Sequence, residues 1–407
     1  MQLYHFATLA AIVIQLAGAS KAKSSKLNGW YACADNTFSD AGSSGGVSAE
    51  CAIYTAPLCY PGICKTPQFA DPTVNIFVKR MPATKGDVKT ASNVWLLQGG
   101  PGDGSTGLEA TMVALHAELE GAVNVYTMDH RGTGRSTFLD CVAAQATTTG
   151  SPDGMIVKPS EVPACAQALE NEYGDLASFS TTSAATDVVT FISKFTNGAS
   201  TIVYGCSYGT MFMERIMHLN PPEVTGYVLD GVATTSGAAA DKFYYISEWD
   251  ASFGEVGDHF LSLCGKDPSC AVHFKKPKTL QKTLQSVLNS FDKHPNSTCA
   301  NIIRQFSVSL PDPAPSTILR TMLGNMLMDQ ELRKFIPPVV LRLSHCDDNA
   351  VEVLTQFVNG YGQDSAESTQ DSAFYSFLLY SLVVFSEMWE TPPPSMSVMK
   401  ARFNSHG

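Results

Sequence analysis

Four short apolar runs, each stopping at a turn that carries glycine or aspartate, constrain this chain more than any other feature. Val94 to Leu97 runs into Gln98-Gly99-Gly100-Pro101-Gly102, and Val123 to Met128 runs into Asp129-His130-Arg131-Gly132. Thr201 to Tyr204 runs into Gly205 to Gly209, and Gly226 to Leu229 runs into Asp230-Gly231. Runs of this kind, followed by helical patterns, read as strands of a mostly parallel sheet with helices on both faces, which is an α/β architecture. Ligands bind at the carboxyl edge of such a sheet, so three glycine-rich loops on that edge mark a candidate site before any motif is named.

Composition narrows the rest. A chain of 407 residues with 44% hydrophobic and only 16% charged residues buries at least one large core, which excludes intrinsic disorder. The net charge is 27 − 38 = −11, and no run of Lys or Arg offers a surface for a phosphate backbone, so no nucleic-acid partner is expected. Leu9 to Leu16 is apolar apart from one Gln and ends in Ala17-Gly18-Ala19, the pattern of a secretory signal over residues 1–19. It is far shorter than the roughly 20 apolar residues of a bilayer span, so the expectation is a secreted, extracellular protein that is not embedded in a membrane.

Eleven cysteines suit an oxidising compartment. Cys33, Cys51, Cys59 and Cys64 crowd the N-terminal stretch; Cys141 and Cys165 flank a Ser/Thr/Pro-rich segment; Cys264 and Cys270 bracket Gly265 to Ser269; Cys299 and Cys346 remain, leaving Cys206 over. Spacing does not fix connectivity. A metal site at Cys59 and Cys64 lacks the C-x-x-C or His pair it would need, so no metal and no cofactor are expected. The boundaries read as a Cys-rich extension over 20–72, an α/β core over 73–237, a helical cap over 238–395 and a tail over 396–407. Asn296-Ser297-Thr298 is a glycosylation sequon after Pro295.

Gly205-Cys206-Ser207-Tyr208-Gly209 fits the G-x-S-x-G elbow, in which serine sits on a sharp strand-to-helix turn and the glycines remove side chains that would clash. Gly42-Ser43-Ser44-Gly45-Gly46 is a second copy but has no strand before it, so Ser207 is the candidate nucleophile. The Gly-Gly-Pro turn can aim a backbone N–H from Gly99 or Gly100 beside that of Tyr208, forming an oxyanion hole.

Gln98-Gly99-Gly100-Pro101-Gly102, Asp129 to Ser136, Gly205 to Thr210 and Val228-Leu229-Asp230-Gly231-Val232 resemble, in order and spacing, the prolyl aminopeptidase and tripeptidyl aminopeptidase family of α/β-hydrolase serine peptidases, over about residues 73 to 390. The Cys264 to Cys270 segment and Phe385-Ser386-Glu387 are similar to its secreted branch. The resemblance implies an α/β-hydrolase fold with a helical cap and an exopeptidase acting on peptide substrates through an acyl-enzyme on Ser207. It also implies a cap carboxylate facing the substrate amine, for which Glu387 is a candidate; a partly buried helix carboxylate is the plainer reading. Asp129, Arg131 and Asp230 read as hydrogen-bonding scaffold, and Cys206 as a small buried filler.

The triad of this fold runs Ser, then Asp or Glu, then His. After Ser207 the histidines are His218, His259, His273, His294, His345 and His406; none follows a later strand, and the acid has no candidate. The expectation is therefore a sheet short of its last strands and a chain truncated at its C-terminus. An esterase of the same fold and a catalytically inactive relative that binds peptides remain open alternatives. An epoxide hydrolase is disfavoured because its elbow carries Asp.

Overall fold

The structure, a computed structural model, describes residues 26–38, 48–141, 157–234, 243, 245–274, 277–306, 312–364 and 373–405. The signal-like stretch, the second G-x-S-x-G copy at 42–46 and His406 lie outside the described residues.

Among the described residues, eight strands form one sheet: β1 (Lys26–Leu27), β2 (Tyr31–Cys33), β3 (Ala49–Pro57), β4 (Thr73–Met81), β5 (Asn93–Leu97), β6 (Asn124–Asp129), β7 (Thr201–Cys206) and β8 (Val224–Asp230). Their spatial order is β1-β3-β4-β6-β5-β7-β8, with β2 paired to β3. β6, β5, β7 and β8 are mutually parallel and are the four runs read from the sequence, while β4 is antiparallel to both β3 and β6. β1, β2 and β3 fall in the cysteine-rich stretch 20–72, which is thus part of the sheet. Ala52, Tyr54 and Ala56 of β3 point inward and are fully buried. The small size of Ala52 and Ala56, with Glu50 and Thr55 between the buried positions, hides that alternation from a hydropathy reading.

Every residue of β5 and β6 is buried. On one face Trp95, Leu97, Tyr126, Met128 and Val203 pack against the helices Thr181–Phe195 and Tyr208–Leu219. Trp95 stacks on Tyr126 with centroids 5.1 Å apart and meets Phe191 edge-on at 5.4 Å. Side chains of this size each contribute about 1.5–3 kcal/mol when fully buried. On the other face Val94, Leu96 and Val125 pack against the helix Glu109–Glu118 through Met112.

A second hydrophobic core is built mainly from helices Trp249–Leu263, Leu280–Lys293, Thr298–Ile303, Pro315–Met328, Ile336–His345 and Asp348–Asp364, with Cys264, Phe274 and Phe306 added from the connections. The helix Phe377–Glu387, which the sequence reading assigns to the cap, packs instead into the sheet-side core through Leu379, Val383 and Val384. The division at 237/238 is therefore not the division between the two cores. A helix apolar on all sides looks alike in sequence whichever core receives it.

Disulfides join Cys33 to Cys51, Cys59 to Cys64, Cys141 to Cys165, Cys264 to Cys270 and Cys299 to Cys346, and Cys206 is free. Such bonds suit an oxidising compartment. No described helix is long and apolar enough to cross a membrane.

Candidate active site

Ser207 stands between β7 and the helix Tyr208–Leu219 with φ 53° and ψ −122°, a backbone conformation that costs a non-glycine residue about 1–3 kcal/mol. The neighbouring glycines permit the turn. A Cβ on Gly205 would lie 2.3 Å from the Gly209 carbonyl oxygen, and one on Gly209 would lie 2.5 Å from the Leu97 carbonyl oxygen. The Ser207 N–H donates to the Asp230 carbonyl at 2.8 Å, and the Ser207 carbonyl accepts from the Thr210 N–H at 2.9 Å and its hydroxyl at 2.7 Å. The serine is exposed while Tyr208 behind it is buried, so the strained turn presents a hydroxyl at the sheet edge.

The Gly-Gly-Pro loop lies against it. A Cβ on Gly99 would sit 3.2 Å from Ser207 Cβ and 3.7 Å from Ser207 Oγ. The Gly99 N–H donates to Gln98 Oε1 at 3.0 Å and is thereby engaged within its own loop. Tyr208 opens its helix, where backbone N–H groups have no intrahelical partner. The half-buried Cys206 thiol lies 3.5 Å from the same Gln98 oxygen, and burial pushes its pKa up, so it stays protonated at neutral pH.

The other residues singled out in the sequence take supporting positions. Arg131 is fully buried and pairs with Asp187 through two bonds of 2.7 Å, while its remaining donors reach the carbonyls of Pro57, Leu58 and Ser178. Asp129 accepts from the Ser105 N–H and hydroxyl, each at 2.6 Å, and from Arg135 Nε at 2.7 Å. Burial raises the Asp129 pKa, but the Arg135 bonds outweigh it and hold the carboxyl below the usual range. Asp230 is exposed, and its Oδ2 accepts from the Tyr204 hydroxyl at 2.7 Å. That bond, with burial and the Asp230 charge, pushes the Tyr204 hydroxyl up to about 12.

Glu387 ends the last helix of the sheet-side core. Its Oε1 accepts the Thr181 N–H at 2.9 Å, at the start of the helix Thr181–Phe195, and its Oε2 lies 3.8 Å from Arg215. A carboxylate there is favoured by the helix dipole. Its charge thus has partners inside the protein. Asn296 is exposed in the turn before the helix Thr298–Ile303.

Among the described residues, no histidine is hydrogen-bonded to Ser207. His116 contacts the Pro82 carbonyl at 3.0 Å, and His218 contacts Glu214 at 3.2 Å. His130 lies buried with its ring 6.0 Å from Tyr208 and 5.5 Å from Phe212. Burial pushes its pKa down to about 4, so it is neutral at physiological pH. Among the described residues no group of three or more His, Cys, Asp or Glu could hold a metal. A residue that sequence reasoning missed is Arg135, whose guanidinium donates to Asp129, Ser105 and Thr37.

A serine elbow at the carboxyl edge of a sheet with parallel central strands, covered by helices on both faces, defines the fold. It is an α/β-hydrolase fold. No family model and no curated protein matches the chain. Solved structures do: mouse alpha/beta hydrolase domain-containing protein 10, at 14% identity and TM-score 0.25, over 40% of this chain and 46% of that one. The thioesterase domain of the curacin biosynthetic pathway matches at 14% identity and TM-score 0.27, over 41% and 46%. Potato (Solanum tuberosum) epoxide hydrolase I matches at 15% identity and TM-score 0.29, over 72% and 73%. The match thus spans about half the length of the first two relatives.

Proposed function

We propose that the protein is an exported serine hydrolase of the aminopeptidase type, acting on peptide N-termini. Ser207 Oγ attacks the carbonyl carbon, the C–N bond breaks, the leaving amine takes a proton, and water then hydrolyses the acyl ester on Ser207. The Tyr208 and Gly100 N–H groups serve the oxyanion, each worth about 3–4 kcal/mol in acyl transfer. The observation that carries this reading is the exposed Ser207 held in a strained elbow with the Gly99 backbone against it. Support for peptide substrates comes from the four motifs quoted above, and Asn296 is the proposed glycan site.

The described residues bring no acid and base to Ser207. We propose that both come from further strand pairing at β8, which on its outer side has no partner among the described strands. The intact mass of the deglycosylated natural protein tests that. Labelling of Ser207 by a fluorophosphonate, lost in Ser207→Ala, tests the nucleophile; failure of the natural protein to label would overturn it. Cleavage of aminoacyl or tripeptidyl reporters supports the aminopeptidase, while turnover of short acyl esters alone would make it an esterase. The second reading, a peptide-binding relative without catalysis, is favoured by Ser207 having no side-chain acid or base as a hydrogen-bond partner among the described residues.

A further inference from the structure

Arg135 joins three segments that are remote in sequence. Its Nε donates to Asp129 Oδ2 at 2.7 Å, its Nη2 to Ser105 Oγ at 3.0 Å and its Nη1 to Thr37 Oγ1 at 2.8 Å. The guanidinium lies 3.7 Å from the Phe77 ring centroid and 5.6 Å from that of Phe374. Ser105 opens the short helical turn Ser105–Leu108 that follows the loop begun at Gln98, so Asp129 and Arg135 together anchor the far end of the oxyanion loop.

The segment Phe374 to Ser376 crosses that loop. The Gly134 N–H donates to the Phe374 carbonyl at 3.0 Å, and the Ser376 N–H donates to the Gly102 carbonyl at 2.9 Å. Ser376 Oγ donates to the Leu139 carbonyl at 2.6 Å. The approach at Gly102 is close, since a Cβ there would be 2.5 Å from the Ser376 carbonyl oxygen and φ is +101°.

The N-terminal strands close the circuit. Thr37 donates through both its N–H and its hydroxyl to Glu109, each at 2.6 Å. The same hydroxyl accepts from Arg135, and from Lys79 at 3.3 Å. Phe38 packs edge-on against Phe374 with centroids 5.2 Å apart. The disulfide Cys33–Cys51 ties this turn to β3.

We infer that Thr37 and Phe38 are positioning residues for the active site: they brace Arg135 and Phe374, and through them hold the 374–376 strap against the oxyanion loop beside Ser207. The inference rests on the reading of Ser207 as the nucleophile. The cysteine-rich segment then does more than add strands, because it sets the shape of the loop that receives the oxyanion. Small displacements of such a loop are costly, since a misplacement of about 1 Å lowers rates by about a hundredfold.

The test uses the full chain with Thr37→Val, Thr37→Ser and Phe38→Ala, read by amide exchange at residues 102–105 and 374–380 and by the fluorophosphonate labelling rate of Ser207. Thr37→Val and Phe38→Ala are expected to speed exchange in both segments and slow labelling by about tenfold or more. Thr37→Ser keeps the hydroxyl and is expected to stay within about twofold of the parent. Exchange at parent rates in Thr37→Val and Phe38→Ala would overturn the brace, as would a Thr37→Ser variant as impaired as Thr37→Val. Should Thr37→Val fail to fold, Phe38→Ala decides alone. If the parent does not label, the nucleophile reading fails, and amide exchange still decides the brace.

Discussion

β7 and β8, six and seven residues long, are parallel neighbours in one mixed sheet, yet they meet opposite environments. β7 is paired on both sides, and Ser207 at its end is clamped by the Gly-Gly-Pro loop, the Asp230 carbonyl and Thr210. β8 is an edge among the described strands. Val228 is 49% exposed and Leu229 is 38% exposed, and Ile202 of β7, on the same face as Val228, is 41% exposed. A nucleophile can therefore be held in place from the strands on both its sides while the outer edge of β8 stays open among the described strands. Exposed apolar strand edges of this kind recruit further strands or aggregate.

Five measurements break or sharpen that contrast. The largest effect is expected from Ser207→Ala, which should abolish fluorophosphonate labelling and any ester or peptide turnover without lowering the melting temperature. Retained turnover would remove Ser207 from the chemistry. Next, Asp187→Ala leaves Arg131 buried without its carboxylate and should cost about 3–5 kcal/mol by denaturant unfolding. A loss under about 1 kcal/mol would show that the closed side of the sheet is not held by this pair.

Gly209→Ala forces a methyl against the Leu97 carbonyl oxygen and should cost about 2–3 kcal/mol, with a loss of labelling beyond what unfolding explains. A smaller effect follows from pH. Folded His130 has its pKa near 4 against the ordinary 6.5, so the unfolded chain binds a proton that the folded one refuses. Unfolding free energy should therefore fall as pH drops from about 6.5 to about 4, and the fall should shrink in His130→Gln; the Asp129 contribution is lost only at lower pH, as its carboxylate protonates. Equal pH profiles for parent and variant would show that His130 is not the group responsible. The smallest effect is at β8: in the 407-residue chain by itself, Val228→Lys should change stability by no more than about 0.5 kcal/mol. A loss above about 1 kcal/mol would mean that this edge is covered in the protein as it exists.

Legibility in the sequence followed the range of the interaction. The elbow was readable because Gly205, Ser207 and Gly209 answer to clashes within one turn and with the loop after β5. β5 and β6 were readable because burial on both faces makes their runs apolar, and β7 and β8, which are partly exposed, because their short runs stop at turn residues. β3 was not, since its buried residues are three alanines, Cys51 and Tyr54, interrupted by Glu50 and Thr55. The Phe377–Glu387 helix was placed in the wrong layer because its hydropathy carries no address.

By itself, then, the sequence determined the sheet's parallel centre, the serine at its edge and an even set of cysteines beside the lone Cys206, because strand periodicity and turn sterics act over a few residues. Only the tertiary structure decided that Glu387 caps the helix Thr181–Phe195, that Gly99 spends its N–H on Gln98, and that Thr37, Arg135 and Phe374 meet around the oxyanion loop. Thr37 and Arg135 lie 98 residues apart, and a hydrogen bond between them depends on where the sheet carries each chain segment, which no local pattern encodes.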